Sequence, residues 1–351
     1  MKKILRNSKY FAGIPKRVSQ IGLIKLLKEW RLYYLRFSRL PSKINKKSTL
    51  RYKLFVIHNY LRIIYYSPDI SNDKLVKIVP KYFAKNILSE ITNPPNKKDE
   101  LVNKIRFYQI LDKNQIPHPR VFFYSYKGVY YNLNDTRMHN IENYFQKKMF
   151  VKSLAGSSGA GADIILFNEE FLKRNKENLV FQEFVEPEKS LKKIAPVKAT
   201  PTLRINSYLD KFDNLEICSS FIKWPIEGSV SDNMDNGSIG VGININNGIL
   251  LAEGMTVKGS VNKNGEKILA HPVSNKKFEN FSIPYWKDII YLLKILHKTF
   301  YNLKFIGWDI AITDNGPVII EGNSVGDVFW EQLISDTYFD KKYIQENLKN
   351  K

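Results

Sequence analysis

A chain of 351 residues that is 43% hydrophobic and 13% aromatic can bury a large core, which excludes an intrinsically disordered polypeptide. Its lone cysteine, Cys218, excludes an internal disulfide framework and any multi-cysteine metal centre. The formal charge of +21 sits mostly at one end: residues 1–53 hold sixteen Lys/Arg against one acid, Glu29, leaving 39 basic and 33 acidic residues for the rest.

Within that basic segment, residues 21–40 have helical periodicity. At about 100° per residue, Leu23, Leu26, Leu27, Trp30, Tyr33, Tyr34 and Phe37 fall on one side, and Lys25, Lys28, Glu29, Arg36 and Arg39 on the other. Two fates are open to such a helix. Its apolar face packs on a second helical stretch at 49–66 or on the body, or the helix lies in an anionic membrane surface; the two coexist if one face docks and the basic face meets lipid headgroups. No apolar run approaches the roughly 18 to 20 residues that span a bilayer. Lys2-Lys3-Ile4-Leu5-Arg6 has no apolar core of a secretory signal behind it, so the expected location is the cytoplasm, peripheral to the inner face of the plasma membrane if the helix binds lipid. No nucleic-acid-binding signature is evident and the remaining chain is only mildly basic, so no nucleic-acid partner is expected.

The turn-prone Asn93-Pro94-Pro95-Asn96-Lys97-Lys98 ends this region, and residues 99–111 read as a helix with an acidic start. A strand at 121–126 follows Ile116-Pro117-His118-Pro119. Met149-Phe150-Val151-Lys152 is a short apolar strand, followed by a Gly/Ser loop, 153–161, and a second strand at 162–167. Small residues let backbone amides curl around an anion, and Lys152 supplies a point charge to a phosphate. The loop lacks the Gly-Lys-Ser/Thr ending of a P-loop. The strand at 179–185 breaks into acidic residues at Glu186-Pro187-Glu188, a candidate hinge whose backbone meets adenine while Glu186 or Glu188 meets ribose. In Thr202-Leu203-Arg204-Ile205, strand alternation turns Arg204 away from Leu203 and Ile205.

The most informative stretch is Gly307-Trp308-Asp309-Ile310-Ala311-Ile312-Thr313, a turn at Asp314-Asn315-Gly316, then Pro317-Val318-Ile319-Ile320-Glu321-Gly322-Asn323. An Asn-Gly turn between β-branched runs predicts a hairpin, with Asp309, Glu321 and Asn323 on a common face as hard oxygen ligands suited to Mg²⁺ beside nucleotide phosphates. Each piece alone also fits an ordinary solvated strand end or surface loop.

Taken in order, these pieces resemble the ATP-grasp superfamily, and more closely the sugar-transfer-associated ATP-grasp family found with surface-polysaccharide biosynthesis genes. The resemblance runs from about residue 103 to 332 and rests on Thr202-Leu203-Arg204-Ile205, Asp232-Asn233, Ile283-Pro284-Tyr285-Trp286 and the Gly307 to Asn323 hairpin. It implies an α+β ATP-grasp fold in which two α+β lobes sandwich ATP behind a basic helical N-terminal region: residues 1–98, a small lobe over 99–185 and a large lobe over 186–351. Lys152 and Lys104 would be the nucleotide-binding lysines, and Gly156, Ser157, Ser158, Gly159 and Gly161 part of a flap over the triphosphate. Gln182, Glu183, Phe184 and Val185 would form the adenine hinge, with Glu188 also on the nucleotide. Arg204 would neutralise charge at the transferring phosphoryl group, and Asp309, Glu321 and Asn323 would hold Mg²⁺. Lys223, Asp232, Asn233 and His271 are the candidates for the second substrate.

The resemblance further implies a carboxylate-amine ligase that forms an amide through an acyl phosphate, joining an amino acid or amine to an acidic sugar or glycan in capsule, lipopolysaccharide or related biosynthesis. The alternatives are an ATP-grasp kinase acting on a sugar or alcohol, and a basic polyanion-binding protein. Two departures fall at the acceptor end: Ser324-Val325-Gly326-Asp327 replaces the family's Asn-Pro-Gly, and Asn236-Gly237-Ser238 stands where a glycine pair is expected.

Overall fold

The computed structural model describes residues 13–38, 49–67, 70–79, 99–155, 162–175, 177–210, 212, 214–256, 267–324 and 328–337. The flap residues Gly156, Ser157, Ser158, Gly159 and Gly161, the 93–98 turn and Val325, Gly326 and Asp327 lie outside them.

Before residue 80 the described residues form α1 (Gly13–Ile21), α2 (Leu23–Ser38), α3 (Thr49–Tyr66) and α4 (Asn72–Leu75). The continuous 21–40 helix expected from periodicity is corrected at its start, because Gly22, at φ +77°, turns the chain between α1 and α2. The assignment of Glu29 to the polar face is corrected too. Glu29 is buried, its Oε2 accepting from Arg17 Nη2 at 2.7 Å and its Oε1 from Tyr60 OH at 3.2 Å, while Arg17 also donates to Asn72 Oδ1 at 3.4 Å. This ion pair staples all four helices.

The apolar side of α2 divides. Leu26 and Tyr33 are buried with Val56, Tyr60, Ile63 and Ile64 of α3, in a core shared with Tyr208, Cys218, Phe221 and Phe305 of the body. Leu23, Ile24 and Leu27 stay in solvent at 57%, 72% and 56% exposure. Among the described residues no helix is long and apolar enough to cross a membrane.

The 99–111 helix is split into α5 (Asp99–Val102) and α6 (Lys104–Lys113), because Asn103 caps the second helix by accepting from the backbone N–H groups of Ile105 and Arg106, each at 3.1 Å. Strands β1 (Val121–Tyr126), β2 (Val129–Tyr131), β3 (Lys148–Ser153), β4 (Asp163–Leu166) and, after α7 (Glu169–Arg174), β5 (Leu179–Glu183) form an antiparallel sheet in the order β2-β1-β5-β3-β4. Alternation sends Met149, Val151 and Phe181 into an aromatic core with Phe123 and Phe167, and leaves Lys152, Val180 and Gln182 on the opposite face.

After α8 (Lys189–Ile194), strands β6 (Thr202–Leu209), β7 (Leu215–Trp224), β8 (Ile239–Ile243) and β9 (Leu250–Thr256) precede α9 (Trp286–Thr299) and the hairpin β10 (Phe305–Thr313) and β11 (Gly316–Asn323). These six strands form a second antiparallel sheet ordered β11-β10-β6-β7-β8-β9. Leu203, Ile205, Ile306, Trp308 and Ile310 pack with Ile289, Leu293 and Leu296 of α9 in the largest core. The opposite face carries the polar side chains of the site and is covered in part by α10 (Val328–Ser335).

Candidate active site

The hairpin sets Asp309 directly across from Glu321, and β6 sets Arg204 across from Asp309 on its other flank. With neighbouring strands about 5 Å apart, paired residues on one face must touch. Asp309 is the hub. Arg204 grips it with Nε to Oδ1 and Nη2 to Oδ2, both at 2.8 Å; Lys223 Nζ donates to Oδ1 at 3.0 Å and Asn323 Nδ2 approaches Oδ2 at 3.4 Å. Burial pushes the Asp309 carboxyl up, but Arg204 and Lys223 override it and hold the group well below the usual carboxylate range. Burial likewise opposes charge on Arg204 and Lys223, and their carboxylate neighbours raise both above their ordinary values.

Lys223 also contacts Asp232 at 3.3 Å, and the Asp232 carboxylate accepts from Thr202 Oγ1. Thr202 shares the face of Arg204 and pairs with Lys223 across the strands, so the Asp232 loop is tied to the sheet beside Asp309. Arg204 has a further partner: Nη1 lies 3.3 Å from Glu331 Oε1 of α10.

The first sheet and α6 contribute lysines. Lys152 Nζ donates to Tyr108 OH at 2.9 Å, and that hydroxyl donates to the backbone oxygen of Ile320, next to Glu321, at 2.6 Å. Lys104, placed at the start of α6 by the Asn103 cap, donates to Leu154 O at 3.3 Å, just before the Gly/Ser loop. Burial lowers its pKa, Glu321 works in the opposite direction, and Lys152 adds to the lowering, so Lys104 feels both neighbours. The close approach depends on Gly322: a methyl group there would lie 2.8 Å from Leu101 Cδ2, and 3.1 Å from both Phe107 and Trp308.

In the segment expected to be the hinge, Gln182 is buried on the Lys152 face, whereas Glu183 is exposed and its Oε2 accepts from Arg120 N at 3.4 Å. Phe184 lies under Lys148, whose Nζ is 3.8 Å from the ring centre, and Val185 O accepts from Thr200 Oγ1. Glu188 caps α8, its Oε2 accepting from Ser190 N at 2.7 Å and Leu191 N at 3.3 Å. Glu186 pairs with Lys148 and Lys192 at 3.1 and 3.2 Å.

His271 is fully buried, Nδ1 accepting from Val273 N at 3.3 Å and Nε2 donating to Pro225 O at 3.0 Å. Nε2 thus ties the turn after Lys223 to the His271 loop, and Nδ1 braces that loop internally. Asn233 lies beside Asp232 in the loop ahead of β8.

The structure thus brings Arg204, Lys223, Asp232, Asp309 and Asn323 into one contacting network, with Glu321 paired to Asp309 and Lys104 and Lys152 beside it. Among the described residues no group of three or more His, Cys, Asp and Glu side chains converges as a metal set; the expected set is two carboxylates and an amide oxygen. Sequence reasoning passed over Tyr108, Thr202 and Glu331. Period-two alternation from Arg204 points to Thr202, and a single acid within the otherwise uncharged Val328–Ser335 helix is a signal for Glu331.

No curated protein matches the sequence. D-alanyl-alanine synthetase A from Vibrio cholerae O1 biovar eltor is 13% identical over 74% of this chain and 68% of its own, with a TM-score of 0.44. D-alanine–D-alanine ligase from Bacillus anthracis is 13% identical over 76% and 70%, with a TM-score of 0.41. The ATP-grasp ligase PsnB, complexed with a phosphomimetic variant of its minimal precursor, Mg and ADP, is 11% identical over 74% of this chain, with a TM-score of 0.41; the match spans 61% of the PsnB chain. Residues 171–343, which include α10 and every strand of the second sheet, match the sugar-transfer associated ATP-grasp family. That span is 173 of the 351 residues, and over it the chain is similar to the sugar-transfer associated ATP-grasp family.

Proposed function

We propose that the protein is an ATP-dependent carboxylate-amine ligase. The observation that supports this most is that Lys104 lies in the field of Glu321 and Lys152 reaches, through the Tyr108 hydroxyl, the Ile320 carbonyl next to it, beside an Asp309 held ionised by Arg204 and Lys223. Positive side chains on both sides of a carboxylate cluster are the charge pattern that a magnesium nucleotide requires. Asp309, Glu321 and the Asn323 amide oxygen are hard donors that fit Mg²⁺, which when bound would neutralise charge on the nucleotide phosphates.

In this reading Lys104 and Lys152 hold the triphosphate. The 182–185 strand end borders the base, and Arg204 balances charge on the phosphoryl group as the donor carboxylate oxygen attacks the γ-phosphorus. The bond to the β-phosphate oxygen breaks, ADP leaves, and an acyl phosphate remains. An amine then attacks the acyl carbon and displaces phosphate, losing a proton as the amide forms. Lys223 and the Asp232-Asn233 loop border the acceptor side, with His271 holding the turn behind them. The similarity of residues 171–343 to the sugar-transfer associated ATP-grasp family favours an acidic sugar or glycan as one partner and an amino acid or amine as the other, in surface-polysaccharide biosynthesis.

Hydroxylamine decides the chemistry. Added with ATP, Mg²⁺ and a panel of uronic acids, it should trap the acyl phosphate as a hydroxamate while ADP continues to form, and ¹⁸O from the donor carboxylate should appear in released phosphate. A phosphorylated sugar that keeps the γ-phosphate would establish the kinase reading instead.

The proposal extends to location: the exposed Leu23, Ile24 and Leu27, flanked on α2 by exposed Lys25, Lys28 and Arg31, suit the headgroup region of an anionic leaflet.

A further inference from the structure

We infer that Glu331 is a positioning residue for Arg204, and that α10 is held as a clamp between the N-terminal helices and the second sheet so that Glu331 reaches it. The inference deepens the ligase reading and rests on it for the role of Arg204, but the geometry stands by itself.

Glu331 is buried at 1% exposure, and both carboxylate oxygens are used: Oε1 faces Arg204 Nη1 at 3.3 Å and Oε2 accepts from Ser219 Oγ at 3.3 Å. Ser219 is in turn fixed, accepting from Asn206 Nδ2 at 2.9 Å. Asp309 takes Nε and Nη2 of Arg204, and Glu331 takes Nη1. A planar guanidinium gripped along two edges by two carboxylates cannot rotate about its last side-chain bonds, which fixes the direction in which it presents charge.

What holds Glu331 there lies outside the site. The residues on either side of it face the N-terminal layer. The Trp330 ring meets Tyr66 edge-on with centroids 4.7 Å apart, and the Arg62 guanidinium carbon lies 4.6 Å from its centre. The Gln332 side chain bonds both backbone groups of Val79, accepting from N at 2.9 Å and donating to O at 3.1 Å. Underneath, the helix rests on a glycine floor. A methyl group on Gly242 would lie 2.5 Å from Ile334 O and 2.7 Å from Ser335 Cα, and one on Gly240 would lie 2.7 Å from Ile334 Cδ1. No Cβ fits between β8 and α10, so the helix sits at a height set by backbone contact. Arg62, Tyr66 and Val79 press it from above and residues 240–242 bound it from below. The N-terminal region therefore reaches the proposed transferring phosphate through α10.

The test uses the full-length protein labelled with ¹⁵N-arginine, the Arg204 guanidinium signal being assigned by its loss in Arg204→Lys. In Glu331→Gln, Gln332→Ala and Gly242→Ala, proton exchange at the Arg204 guanidinium should accelerate about tenfold or more. Turnover should fall about tenfold or more as the group loses its orientation, with KM for ATP within about twofold. Gln332→Ala and Gly242→Ala keep the Glu331 carboxylate and change only what holds α10, so they carry the test if Glu331→Gln fails to fold. An unchanged Arg204 signal in folded Glu331→Gln, or in both other variants, overturns the inference. If the wild-type protein binds ATP but ligates nothing, the ligase reading falls while the Arg204 exchange rates still decide the clamp.

Discussion

Asp309 illustrates how a single carboxylate can be both hidden and charged. Desolvation of an ion inside a protein costs several kcal/mol, and the cost is offset here only because Arg204 and Lys223 each place a proton donor on it. Asp309→Asn leaves those two cations in a buried site without their shared anion, so both turnover and stability should suffer. Turnover in Asp309→Asn, Glu321→Gln and Lys152→Ala should drop about 100-fold or more in an ADP-release assay, since each removes charge where phosphate charge must be balanced. Near-normal turnover of a folded Glu321→Gln would remove the site from the chemistry. His297 offers a separate titration. Burial against Trp308 and Ser207 lowers its pKa to about 4 from an ordinary 6.5, so the folded state keeps the ring neutral. Between those two values the unfolded chain binds the extra proton; its contribution to stability is fully present above about pH 6.5 and is lost as pH falls toward 4. The loss should approach roughly 3 kcal/mol at the acid end, read as a falling urea midpoint, and should flatten in His297→Gln.

At the scale of elements, two close approaches decide where charged groups sit. The first is α5 and α6 against β11. Gly322 lies in the Glu-Gly-Asn run because Leu101, Phe107 and Trp308 occupy the space a side chain would take. Gly322→Ala should therefore cost about 1–3 kcal/mol through overpacking. It should also weaken ATP binding by moving Lys104 away from Glu321, a pairing of effects that calorimetric melting and nucleotide titration measure on the same sample. The second is the α1–α2–α3–α4 staple. Glu29→Ala strands Arg17 in the interior and should destabilise the N-terminal layer by about 3–5 kcal/mol, whereas a surface glutamate, as helical periodicity alone suggests, would cost almost nothing. Denaturant unfolding of that variant separates the buried from the exposed assignment.

At the scale of the molecule, the basic end is part of the folded body as well as a carrier of charge. Leu26 and Tyr33 share a core with Tyr208, Cys218 and Phe221, so deleting residues 1–47 opens that core and confounds any binding assay with unfolding. Surface substitutions avoid this. Lys25→Glu with Lys28→Glu, and separately Leu23→Ser with Leu27→Ser, alter only the exposed side of α2. Each pair should reduce sedimentation with anionic phospholipid vesicles several-fold while leaving melting temperature and ATP binding unchanged, and the wild-type signal should fade as salt rises, because exposed charges are screened within about 10 Å at 0.1 M. Equal sedimentation of all three proteins would remove the membrane role.

The parts of this protein legible in the chain are those governed by short periods. The Asn315-Gly316 turn between β-branched runs specified the hairpin, and Gly316 adopts φ +113° there. Alternation specified that Arg204 turns away from Leu203 and Ile205, both of which are fully buried in the α9 core. A two-residue or 3.6-residue repeat is imposed by the backbone itself, so the local sequence is enough to read it. Register between strands distant in sequence is not a local property. That Lys223 and Arg204 reach Asp309, 86 and 105 residues away, and that Glu331 reaches Arg204 across 127, was decided by the stacking of β6, β7, β10 and α10. The burial of Glu29 likewise depended on Arg17 arriving from α1, across the turn that Gly22 makes at φ +77°. Buried charges are stable only with partners, and the partners are chosen by packing over the whole molecule, which is where the sequence ceases to be sufficient and the tertiary structure decides.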